Sequence, residues 1–275
     1  MNKTTRSDQT VLVVGGSSGV GLACVHQLHA EGFGQVYSSS RRGSESLATV
    51  SRFVAADVTD NASVQRLIEQ VLSESGKIDT LIHCVGYVLS GPIEETSLAE
   101  AMQQFDTNFW GMVRVVQAVL PSMRASGGGS IVLISSIAGI IPLPYQAFYS
   151  ASKFAMEAYA ESLSFEVDAF GIRVCLVQPG DLRTPFTASR KRVAACGPGS
   201  DYYQRFQRCI NKIQSLEAEG QAPERVARDI VNLLARRELP MRHLITKRSE
   251  KLGLLLRKYG PLGLYRRVIR SVFDA

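Results

Sequence analysis

The feature that most constrains this chain is its regular alternation of short apolar runs with stretches of helical period. Strand-like runs fall at 11–14, 35–38, 53–56, 80–85, 130–134 and 172–177. Helix-like stretches fall at 22–30, 63–72, 98–124, 147–170 and 223–237. In 63–72 the apolar residues Val64, Leu67, Ile68 and Val71 recur at the spacing that puts them on one helical face. Parallel strands need long crossovers, and helices of this length supply them, so the pattern predicts a doubly wound α/β domain, Rossmann-like, with helices on both faces of about seven parallel strands. Residues 181–222 break the rhythm with Pro185, Gly197, Pro198 and Gly199 among several aromatics. An insertion of that kind is expected to be a substrate loop or lid.

Composition agrees with one folded domain. The chain has 275 residues, of which 45% are hydrophobic and 20% charged, enough for a substantial core. The expected divisions are a catalytic domain over 9–246 and a C-terminal extension over 247–275. No run approaches the roughly 18–20 apolar residues of a membrane span, and the N-terminal stretch is polar. Five cysteines without C-x-x-C spacing read as reduced thiols, so a cytoplasmic setting is expected. The four histidines do not cluster at ligand spacings, and no metal is expected. The net charge of +6 is uneven, because the segment from 236 onward carries 11 Lys/Arg against 3 Asp/Glu. The basic character therefore belongs to the tail, which argues against a nucleic-acid partner.

Three constellations carry chemistry. Gly15, Gly19 and Gly21 follow the first strand and open the first helix, where free N–H groups and the positive dipole end favour a pyrophosphate. On their own they equally suit a tight structural turn. The second strand ends in Ser38-Ser39-Ser40-Arg41-Arg42 with no carboxylate to accept from a ribose 2′-hydroxyl. A small Ser40 followed by guanidinium groups makes room for a 2′-phosphate, the mark of NADP(H), although two solvated arginines would look the same. Tyr149 and Lys153, four apart on a helix, share one face. A phenol titrates near ~10 and a neighbouring ammonium favours its ionised form, so lysine and an oxidised nicotinamide together are expected to lower it. Ser136, thirteen residues before Tyr149, stands just past the fifth strand and can hold a substrate oxygen beside the phenol.

The run VVGGSSGVG, with Val14 in place of the usual Thr, resembles the cofactor loop T-G-x-x-x-G-x-G of short-chain dehydrogenases/reductases. The resemblance covers about 9–184 and implies further roles. Ser17, Ser18 and Val20 would join the glycines at the phosphates. Arg41, then Arg42, would meet the 2′-phosphate, and Asp57-Val58 would lie along the adenine. Cys84 and Gly86 would line the cofactor, with His83-Cys84-Val85-Gly86 replacing the usual N-N-A-G. Pro179, Gly180, Leu182 and Thr184 match the P-G-x-x-x-T stretch that grips the nicotinamide carboxamide. Asn108, Ser136, Tyr149 and Lys153 match the catalytic tetrad in order and spacing, the Asn holding a water that connects the lysine to solvent. A satisfied core amide is the plainer reading of Asn108, and a structural role the plainer one of His83.

Together these features predict an NADP(H)-dependent oxidoreductase acting on a ketone, aldehyde or alcohol. Leu143 and Phe186 are expected in an apolar substrate pocket beside Ser136 and Tyr149. The stretch around Tyr149 is similar to hydroxysteroid and retinol dehydrogenases. A non-catalytic NADP(H) sensor and a ketoacyl reductase are the alternatives. The resemblance also implies a homodimer or homotetramer. In the tail, Leu262, Leu264, Tyr265, Val268, Ile269, Val272 and Phe273 recur at helical spacing among Arg266, Arg267 and Arg270. That pattern fits a lid, packing on the domain, or a peripheral membrane contact.

Overall fold

A computed structural model of the chain describes residues 5–184, 189–236 and 238–273. In chain order the elements are β1 (Thr10–Val14), α1 (Gly19–Ala30), β2 (Gln35–Ser40), β3 (Arg52–Ala55), α2 (Asn61–Ser75), β4 (Thr80–His83), α3 (Leu98–Phe105), α4 (Gly111–Ala125), β5 (Gly129–Ile134), α5 (Ala147–Val167), β6 (Ile172–Pro179), α6 (Tyr203–Ala218), α7 (Pro223–Leu234), β7 (Arg242–Ile245), α8 (Arg248–Tyr259) and α9 (Leu262–Phe273).

The seven strands form one sheet in the order β3-β2-β1-β4-β5-β6-β7, every pairing parallel. Alternate residues of each strand face opposite layers. Leu12, Val14, Leu81, Ile131 and Leu133 pack with α2, α4 and α5 on one side. Val11, Val13, Ile82, Val132 and Ile134 pack with α1 and α7 on the other. This is the expected Rossmann-like single domain. The order reverses between β1 and β4, and loops leaving the carboxyl ends of those strands border a crevice.

Four departures from the sequence expectation bear on the site. The stretch 98–124 is not one α-helix, because a π turn over Asp106–Trp110 separates α3 from α4 and holds Asn108. The insertion 181–222 is not all loop, since its second half forms the 16-residue α6. The edge strand β7, which completes the roughly seven strands expected, falls on none of the six runs singled out in the sequence. Finally, α1 begins at Gly19, three residues before the expected start, which brings the glycine turn to the helix end itself.

Candidate active site

Most of the expected site residues are placed by the end of a sheet strand or the start of a helix, and Asn108 by the π turn. Gly15 leaves β1 with φ +89°, and a Cβ there would stand 2.9 Å from the Val85 amide nitrogen. A Cβ on Gly21 would stand 2.1 Å from the Gly15 carbonyl oxygen, so helix and turn touch only because Gly21 lacks one. Ser18 precedes α1 in extended conformation and its side chain makes no cap bond. Amides at the start of α1 are therefore left for a ligand. Gly19, at φ +53°, faces Thr184 across the crevice, a Cβ on it lying 3.8 Å from that residue's Cβ. A glycine turn this close to backbone, opening an uncapped helix, fits a dinucleotide phosphate. Ser17 and Val20 flank the turn half-buried.

Beyond β2, Arg41 and Arg42 are exposed, and neither guanidinium has an ion-pair partner among the described residues. Asp57 accepts from the Thr59 amide and hydroxyl at 2.9 and 2.8 Å. Burial pushes its carboxyl up, but those two bonds and the charges of Arg41 and Arg114 bring it below the usual range. Val58 is buried, and its carbonyl accepts from Arg114. Gly86 approaches Asn108 so closely that a Cβ would stand 3.4 Å from Oδ1. The amide of Cys84 donates to the Val14 carbonyl at 2.7 Å. His83 is fully buried, and neither ring nitrogen has a hydrogen-bond partner among the described residues. Its side chain therefore ties no neighbouring strand by a hydrogen bond. Burial first, then the charge of Lys153, lowers its pKa to about 3, so the ring is neutral.

The tetrad residues meet at the C-terminal end of β5 and the start of α5. Ser136 caps a short turn after β5, its Oγ accepting from the Ala138 amide at 3.1 Å. It is hydrogen-bonded to the Tyr149 side chain. Lys153 Nζ lies 6.0 Å from the Tyr149 ring centroid and donates to the Ile134 carbonyl at 2.7 Å. Asn108 is fully buried. Its Oδ1 accepts from the Tyr87 amide at 3.0 Å, and its Nδ2 donates to the Tyr87 carbonyl at 2.9 Å and to Ser152 Oγ at 3.3 Å. Ser152 in turn donates to the Tyr149 carbonyl at 2.7 Å. The π turn thus ties the loop after β4 to the helix that carries the phenol and ammonium.

One electrostatic expectation reverses. Tyr149 is pushed up to about 12 rather than down. Burial is the main cause, with the Ser136 bond pulling down, Glu217 up and Arg190 down. Lys153 falls to about 8, burial again leading against the nearby Cys84 and Glu157. Removing solvent penalises the charged form of each group, and that outweighs the neighbours that act on it. In this state the phenol keeps its proton.

In sequence and fold the chain is similar to known proteins. A family model described as short chain dehydrogenase matches residues 9–194. The chain belongs to the short-chain dehydrogenases. It is 42% identical over 234 residues to a 3-ketodihydrosphingosine reductase of Bacteroides thetaiotaomicron, covering 85% of this chain and 86% of that one. It is 32% identical over 274 residues to retinol dehydrogenase 8 of Bos taurus, covering 93% and 86%. A crystal structure of a short-chain dehydrogenase from Streptomyces avermitilis superposes with a TM-score of 0.82 at 28% identity, over 98% of this chain and 99% of that one.

This short-chain dehydrogenase has site residues that no motif indicated. Glu250 of α8 accepts from the Asp181 and Lys247 amides at 2.7 and 2.6 Å. It thereby fixes the stretch Pro179, Gly180, Leu182 from outside, while Leu182 bridges to Gln221. Arg190 and Glu217 form a buried pair described below. Leu143 packs with Val88, Ala138 and Tyr149. Tail residues Leu254 and Tyr265 pack with Ile141, so α8 and α9 cover this flank. Phe186 lies outside the described residues. Along the chain the only signal for these partners was the apolar spacing of the tail.

Proposed function

We propose that the protein is an NADP(H)-dependent reductase of long-chain ketones, with Tyr149 as proton donor. The observation that carries this reading is the buried, protonated Tyr149, bonded to Ser136 beside the ammonium of Lys153. When bound, the nicotinamide supplies the hydride. The remaining tasks fall to this chain. Ser136 and Tyr149 hold the carbonyl oxygen between two hydroxyls, and the Tyr149 hydroxyl delivers a proton to that oxygen as the carbon is reduced. Lys153 offers positive charge to the phenolate left behind. Asn108 and Ser152 keep α5 in register with the loop after β4. Arg41 and Arg42, exposed and without ion-pair partners among the described residues, favour a cofactor with a 2′-phosphate. The 42% identity to a 3-ketodihydrosphingosine reductase supports a ketone with a long hydrocarbon chain, as do the apolar walls from Val88, Leu143 and the tail.

Absorbance of NADPH, followed with a C18 2-amino-1-hydroxy-3-ketone, retinal, a steroid ketone and small ketones, tests the reading. Oxidation fastest with the C18 ketone is expected. No oxidation with any of them would end it. Homo-oligomerisation accompanies the proposal: Leu98, Met102, Trp110, Phe154 and Phe165 leave an exposed apolar face across α3 to α5, and light scattering of the full chain checks it.

A further inference from the structure

The substrate side of the site contains an ion pair that reduction of a plain ketone does not require. Arg190 precedes a short parallel ladder in which Leu89–Ser90 pairs with Lys191–Arg192. Glu217 stands in the last turn of α6. Arg190 Nη2 donates to Glu217 Oε1 at 2.6 Å, and Nη1 donates to Ser90 Oγ at 3.1 Å. The two side chains are only 2% and 15% exposed. The buried Nε of Arg190 has no partner among the described residues. Both charges act on the Tyr149 phenol, so the pair lies within electrostatic reach of the oxygen that a substrate carbonyl would meet.

An ion pair taken from water loses hydration that its own attraction barely returns, and apolar side chains of the same volume would hold the fold as well. Its burial beside Ser90, within electrostatic reach of Tyr149, therefore points to a ligand. The pair carries no net charge. It presents a carboxylate that accepts and a guanidinium N–H that donates. An anionic substrate would be repelled by Glu217, and a hydrocarbon ketone would leave Arg190 Nε unpaired. A substituent set that complements both groups has one cationic donor and one neutral acceptor, both near the carbonyl.

We infer that Glu217 and Arg190 form a headgroup site that recognises an ammonium on the carbon next to the substrate carbonyl and a hydroxyl on the carbon after it, Glu217 accepting from the ammonium and Arg190 Nε donating to the hydroxyl. This rests on the ketone-reductase reading and narrows it to long-chain amino ketones. Both residues determine specificity, while reduction itself remains with Tyr149.

The test uses the full chain with NADPH and three C18 substrates: the 2-amino-1-hydroxy-3-ketone, the 1-hydroxy-3-ketone without the amine, and the plain 3-ketone. For the unaltered protein, kcat/KM for the amino ketone should exceed that for its deamino counterpart at least about tenfold, and the plain ketone should be poorest. Glu217→Gln should cut the preference for the amine at least about tenfold, mainly through KM. Arg190→Lys, which keeps the charge but removes Nε, should cut the preference for the hydroxyl. Equal reduction of all three ketones by the unaltered protein overturns the inference and leaves the ketone-reductase reading standing. Reduction of none removes that reading as well. Equal losses on all three substrates in both variants assign the pair to the fold and overturn the inference. Because the first comparison needs no substitution, it decides the matter even if a variant does not fold.

Discussion

The carboxylate of Glu250 rests directly against the Cα of Gly180, so that a Cβ there would lie 2.2 Å from Oε2. The same carboxylate takes the amides of Asp181 and Lys247. A helix of the C-terminal extension thus holds the loop that follows β6. Gly180→Ala is expected to displace Glu250 from both amides, at a cost of roughly 1–3 kcal/mol in urea unfolding. Glu250→Gln should cost less, because the amide side chain can still accept one bond. Equal stability of Gly180→Ala and the unaltered protein would show that Glu250 relaxes freely.

Tyr149→Phe removes the proposed proton donor and keeps the ring. Turnover should fall at least ~10²-fold while NADPH affinity, read by fluorescence titration, is largely kept. Near-normal turnover would refute the assignment of the proton to this residue.

Arg41→Asp replaces an exposed cation with an anion where a 2′-phosphate is expected. The ratio of kcat/KM with NADPH to that with NADH should drop at least about tenfold. An unchanged ratio would make Arg41 an ordinary surface charge.

His83 gives a pH dependence of known sign. Its pKa is about 3 in the folded chain and near 6.5 unfolded, so the unfolded state binds more protons between those values. Stability then falls on acidification by about 1.4 kcal/mol per pH unit from roughly 6.5 downward. Asp181 acts the opposite way. Burial and then Glu250 raise it to about 7, so its contribution favours the folded state in acid and is lost as pH rises toward 7. Comparing His83→Asn with the unaltered chain cancels the Asp181 effect. Between pH 7.5 and 5 the variant should lose less stability than the parent, as urea midpoints will report, and equal losses would exonerate the histidine.

The tail has two faces. Leu254 and Tyr265 are buried against the domain, whereas Leu252, Leu255, Leu262 and Leu264 are exposed among lysines and arginines. No helix among the described residues is long and apolar enough to cross a membrane. An exposed apolar row with basic neighbours suits an anionic surface. The full chain should co-sediment with vesicles of phosphatidylserine but not of phosphatidylcholine alone, and Leu252→Glu with Leu262→Glu should abolish it. Binding unaffected by those changes would remove the membrane proposal.

The sheet was legible because buried parallel strands are written as nearly continuous apolar runs, and 11–14, 130–134 and 172–177 are such runs. Strand β7 was not, because it lies at the sheet edge, and of its four residues only Ile245 is buried. The residues of the Tyr149 cluster were legible because local spacing on one helix and one turn brings them together. Arg190 and Glu217 were not, being 27 residues apart across an irregular segment with no motif to pair them. The direction of the Tyr149 shift also escaped, because Lys153 spends its Nζ on the Ile134 carbonyl and burial dominates.

The bond from the Asp181 amide to Glu250 spans 69 residues. A ribosome adding about 5–20 residues per second needs roughly 3–14 s to cross that interval. Through that time the strands up to β6 exist, yet the loop after Gly180 has no carboxylate to hold it. The wall beside the Tyr149 site is therefore completed late in translation, after the scaffold beneath it has had time to fold.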